Sequence, residues 1–98
     1  MAQVAPASTT HAPIDLLLGH ASEAWQRLPR VAAEIDEWDA VDQVRFIEEW
    51  PLEEQRLCRL ETFATSGAMS AAQQLEFRRL MEVVRENRPI IERLQRSE

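Results

Sequence analysis

The stretch EIDEWDAVDQVRFIEEWPLEEQRL, from Glu34 to Leu57, carries nine carboxylates, two arginines, two tryptophans and a phenylalanine. Carboxylates at this density can hold a metal or move protons, so the neighbouring residue types decide which chemistry is open. A helical di-metal centre combines glutamates with a Glu-x-x-His pair on facing helices, because the metal takes imidazole as well as carboxylate ligands. Neither histidine fits: His11 sits in an Ala- and Pro-rich N-terminus, and His20 has Leu17 three residues before it. A magnesium or calcium site built from oxygen alone lacks the Asp-rich loop and turn glycine of an EF-hand. The stretch therefore reads as a solvated acidic face, with no metal, no cofactor and no catalytic residue.

The other reactive side chains point the same way. Cys58 is the only cysteine, which excludes an internal disulfide and a CxxC motif. A reactive thiol needs positive surroundings, whereas Glu54 and Glu61 lie about one helical turn to either side of Cys58 and only Arg59 opposes them. The thiol reads as a small hydrophobe. There is no Ser/His/Asp grouping, no phosphate-cradling glycine loop and no basic aromatic platform. The turn TSGAMS, residues 65–70, raises a helix-turn-helix-like regulator as an alternative. Its second helix would open with Ala71, Ala72, Gln73 and Gln74, where side chains that reach base edges belong.

Charge narrows the partners. The formal net charge is −6, and no lysine occurs; the arginine-only basic set fits GC-rich bacterial coding. Residues 15–61 hold twelve carboxylates against five arginines, a net of −7, whereas residues 62–98 hold five against six, a net of +1. Nucleic acid and anionic membranes are both drawn by a positive field, so neither is expected as a partner. No window approaches the ~18 apolar residues of a membrane span, and the N-terminus lacks the basic start and apolar run of a signal peptide. The expected location is the cytoplasm.

The elements that must position these residues are helices. Glycine occurs only at Gly19 and Gly67, and no alternating Val/Ile/Thr run suggests a strand. The expectation is an all-α fold, a small bundle of four to five short helices completed by homodimerisation. Residues 1–13 are expected as a flexible N-terminal tail, since their Ala, Ser, Thr and Pro bury little, and residues 14–98 as a single helical domain. Pro13 suits the first turn of a helix reaching about residue 28, with Ile14, Leu17, Leu18, Ala21 and Trp25 at helical spacing. Val31, Ile35 and Trp38 continue the pattern to a break at Asp39, a good N-cap. Val41, Val44, Phe46, Ile47 and Trp50 then cover about half a helix circumference, enough to pack against two neighbours. Pro51 is expected to start a new helix, Gly67 to end it in the left-handed conformation, and Ser70 with Gln73 to form a capping box. Phe77, Leu80, Met81 and Val84 give the last helix its stripe. A stop or kink is expected at Asn87 to Pro89, with an unbroken seam through Asn87 to Ile91 and Leu94 as the other reading.

The resulting function is binding. The chain is expected to be an acidic protein-interaction or adaptor module without catalytic activity, one form being an antitoxin-like inhibitor that masks a basic protein. Its partner would be a second copy, a more basic protein, or both, met through Trp38, Phe46, Trp50, Phe77, Val84 and Ile91. The alternative from another class is a helical enzyme with an inter-subunit Arg/Glu site, in which Arg45, Arg56 or Arg85 binds an acidic small molecule.

Overall fold

The computed structural model describes residues 4–96, with side chains from His11 onward. Residues 1–3 of the expected tail lie outside the described residues. Helix α1 spans Val4–Gln26, a short α2 spans Leu28–Glu34, a single 3-10 turn covers Ile35–Glu37, α3 spans Ala40–Ser66 and α4 spans Ala71–Arg96. No strand occurs among the described residues. Three long helices thus carry an all-helical fold. The backbone is already helical at Val4, so Pro13 lies inside α1 rather than at its start.

The core follows the stripes in the sequence. Ile14, Leu18, Ala21 and Trp25 of α1 are buried with Leu28 of α2, Trp50, Leu57 and Leu60 of α3, and Leu80, Val84 and Ile91 of α4. Each such large side chain contributes about 1.5–3 kcal/mol when fully removed from water. Helix α1 lies between α4, its most extensive neighbour, and α3, while α2 turns onto α4.

Two expected helix ends are corrected. Helix α3 runs through Pro51, and α4 runs through Asn87, Arg88 and Pro89. An interior proline removes one backbone hydrogen bond and crowds the preceding turn. Pro13, Pro51 and Pro89 are all exposed, so each lies on the solvent side of its helix, where the released carbonyl can be hydrated. Breaking α3 at Pro51 would separate Phe46 and Trp50 from the stripe that continues to Leu57 and Leu60. Burial of that stripe outweighs the loss at one turn.

The local end signals behave as expected. The Asp39 side chain accepts a hydrogen bond from the Asp42 N–H at 2.9 Å and caps α3. Gly67 ends α3 at φ +83°, and the Ala68 N–H closes the last turn onto the Phe63 carbonyl at 3.1 Å. Ser70 and Gln73 form the reciprocal capping box: the Ser70 N–H donates to Gln73 Oε1 at 3.0 Å and the Gln73 N–H to Ser70 Oγ at 3.1 Å.

Asn87 does not end α4, and its side chain serves α1 instead. Pro29, in the first turn of α2, cannot donate to the carbonyl four residues earlier, which belongs to Trp25. The Asn87 Nδ2 donates to that carbonyl at 2.9 Å. An unpaired buried carbonyl costs about 1–3 kcal/mol, so the Pro29 break and the α4 asparagine form one unit.

Two outcomes follow. Pro51→Ala should raise stability by about 1–3 kcal/mol in denaturant unfolding, since it restores a helical bond in α3; a loss would show that the proline ends a helix. Asn87→Leu should destabilise by about 1–3 kcal/mol, and less in a Pro29→Ala background, where residue 29 regains its N–H. A double-mutant cycle with no coupling would refute the Pro29 and Asn87 pairing.

Candidate interaction site

The molecule measures 54 × 23 × 18 Å with a radius of gyration of 15.9 Å, against about 13 Å for a compact chain of this length. The longest helix, α3, has 27 residues and spans only ~40 Å, so the elements are staggered along the long axis. The first part of α3 shows the result: residues 40–49 contain no buried side chain. The expected packing of this segment against two neighbours is therefore corrected. Val41 is 65% exposed and Val44 40%, and Phe46 and Ile47 are half-buried.

The turn before α3 is rigidly held all the same. The Gln43 Nε2 donates to the carbonyls of Ile35 at 2.8 Å and Trp38 at 2.9 Å, closing the extended link between the 3-10 turn and α3. This sets Trp38 edge-on to Phe46, with ring centroids 5.9 Å apart. Phe46 lies 5.7 Å from Trp50, and Trp50 meets Trp25 edge-on at 5.0 Å. Four rings thus lead from the surface to the core. At the inner end Arg88 lies 5.1 Å above Trp25 and pairs with Glu54 at 3.0 Å, while Glu54 accepts from Trp50 Nε1 at 3.2 Å.

The six residues expected to meet a partner are split by this arrangement. Trp50, Val84 and Ile91 are buried in the chain's own core. Phe77 is half-buried and packs against the same core, because α1 occupies that face of α4. Phe46 is likewise half-buried against the core, and Trp38 is half-buried just before α3. Sequence reasoning missed Val41 and Val44 as exposed apolar residues. An apolar arc as wide as theirs fits a doubly packed helix and an uncovered one equally.

Around these side chains the surface is acidic. Glu34, Asp36, Glu37, Asp39, Asp42, Glu48 and Glu49 are all exposed, with Arg45 the one arginine between Glu34 and Glu49. Arg45 approaches Asp42 only at 4.0 Å, in a solvent-screened pair. Two open grooves follow the segment, one of about 520 Å³ beside Val41, Val44 and Glu48, the other of about 360 Å³ beside Trp38, Asp42 and Phe46. A narrower cleft of about 190 Å³ lies where α3 faces the α1–α2 junction. Phe46, Glu49, Trp50 and Glu53 line it from α3, and Ala24, Arg27 and Val31 from the other side.

Among the described residues, no group of three or more His, Cys, Asp and Glu side chains is placed to hold a metal, and no helix is long and apolar enough to cross a membrane. Arg56 is held by Glu53 of its own helix at 2.6 Å, and Arg85 lines a shallow groove on α4 with Met81, Arg88 and Glu92. At the start of α4, Gln73 is buried, and its Nε2 donates to the His11 carbonyl at 2.8 Å and to Asp15 Oδ1 at 2.7 Å. A side chain so engaged cannot reach a base edge.

The aromatic line predicts a graded response. Trp50→Ala should cost about 3–5 kcal/mol in unfolding free energy, the range for a buried large-to-small change. Trp38→Ala should cost at most half as much, and equal losses would show that Trp38 belongs to the core. No protein-family model, no curated protein and no solved structure matches this chain.

Proposed function

We propose that the protein is an interaction module that presents the N-terminal half of α3 to a more basic protein. One observation carries this reading: Val41 and Val44 are exposed and Phe46 and Ile47 only half-buried on a firmly capped helix, with half-buried Trp38 just before its cap, amid seven exposed carboxylates. Apolar side chains supply the free energy of contact, and the acidic rim selects and steers the partner. A second copy meeting the same face would bring its own seven carboxylates, so self-association through this surface is disfavoured by like charge. Masking of a basic protein, as an antitoxin-like inhibitor does, is one form such a module takes.

A photo-crosslinking residue at Val44, compared with one at Arg59, tests the reading in cells of the source organism. The expected result is one basic protein crosslinked from position 44 and not from 59. In a lysate of the same cells its yield should fall as salt is raised from about 0.01 to 1 M, where the screening length drops from roughly 30 to 3 Å. Equal crosslinking from both positions, or capture only of a second copy of the chain, would overturn it.

A further inference from the structure

We propose that the cleft between α3 and the α1–α2 junction is a guanidinium site that takes one arginine side chain of the partner. The source of that arginine rests on the docking face proposed above; the cleft itself stands on its own geometry. Its volume of about 190 Å³ is below the ~300–1,000 Å³ of small-molecule pockets and corresponds to about six waters. That space suits a single side chain. Half-buried Phe46 supplies an aromatic wall that attracts a cation, and buried Trp50, with its ring centroid 5.7 Å away, backs it.

Glu53 supplies the polar end. Its Oε2 accepts from Arg56 at 2.6 Å, while its Oε1 is buried with no hydrogen-bond partner. A buried carboxylate oxygen without a donor is costly, and such an orphan marks a place where a donor belongs. Glu49 adds an exposed carboxylate at the cleft's edge. A guanidinium offers planar N–H donors for the exposed Glu49 carboxylate and, once the Glu53 side chain turns its shielded Oε1 toward the cleft, for Glu53, with a flat face for the half-buried Phe46 ring. A lysine ammonium is more strongly hydrated and does not stack, so arginine is favoured. Arg27, exposed at the opposite wall, is the one cation lining the cleft and competes with the incoming side chain.

The test is a titration of the isotope-labelled full chain with N-acetylarginine methylamide and with its neutral citrulline analogue, read by NMR. Arginine should shift the Trp50 indole N–H and the Phe46 and Glu53 amides saturably, and citrulline should not. Glu53→Gln should weaken arginine binding at least ten-fold, Glu49→Gln by a few-fold, and Arg27→Ala should tighten it. Equal shifts with citrulline, or non-saturating shifts spread over Glu37, Asp42 and Glu48, would overturn the site. Should Glu53→Gln disturb the fold, the wild-type titration and Glu49→Gln carry the decision. Crosslinking at position 44 without saturable arginine binding would remove the cleft and keep the docking face; arginine binding without that crosslink would do the reverse.

Discussion

Trp25 is fully buried, and every long helix depends on how it is held. Its carbonyl belongs to α1, which Pro29 deprives of the next backbone donor, and Asn87 of α4 supplies that donor. Its ring is met edge-on by Trp50 of α3 and covered by Arg88 of α4. Backbone and side chain of one residue therefore set the lateral order of α1, α3 and α4. The arrangement has an internal cost, since the Trp25 Nε1 is buried without an acceptor, about 1–3 kcal/mol that burial of so large a ring must offset.

The other end of the α1–α4 pair is pinned by Gln73. Its side-chain oxygen completes the α4 capping box while its nitrogen reaches the His11 carbonyl and Asp15 of α1. Asn87 and Gln73 are two amides on one helix, each bonded to a main-chain oxygen of α1. Sliding α4 along α1 by a turn would break both bonds and misalign Leu80, Val84 and Ile91 with the α1 stripe. With α1 and α4 locked in register, α3 is the helix left to overhang. Its first residues extend past the core, which explains why Val41 and Val44 end up exposed.

How much of this could be read in the sequence depends on the range of the interaction. Asp39, Gly67 and the Ser70–Gln73 pair act within a few residues, so their types and spacing were enough to locate the ends they form. Pro51 and Pro89 carry the same local signature as a helix end, yet the outcome turned on which side of the helix faces solvent, and that is decided by distant residues. Asn87 was visible as an oddity in a seam, but its partner, the Trp25 carbonyl, is 62 residues away and is open only because Pro29 follows it. Trp38 and Trp50 sit in similar local surroundings, and only the stagger of α3 makes one half-buried and the other core. The overhang itself has no sequence signal apart from an apolar arc wider than a surface helix needs.

The Pro29 break links the core to the candidate site. Because α1 stops at Gln26 and the chain resumes as α2, Ala24, Arg27 and Val31 stand opposite α3 across a gap instead of continuing a straight helix alongside it. On the α3 side of that gap lie Phe46 and Trp50, the middle members of the aromatic line, and Glu53, whose Oε2 is engaged by Arg56 and whose Oε1 is not. The gap thus meets the acidic, apolar overhang at its inner end, where Trp50 passes from cleft wall to core. Phe46 is seated against Trp50, and Trp50 against Trp25. The same feature that forces α4 to supply an asparagine to Trp25 also leaves open the narrow space beside the exposed face of α3.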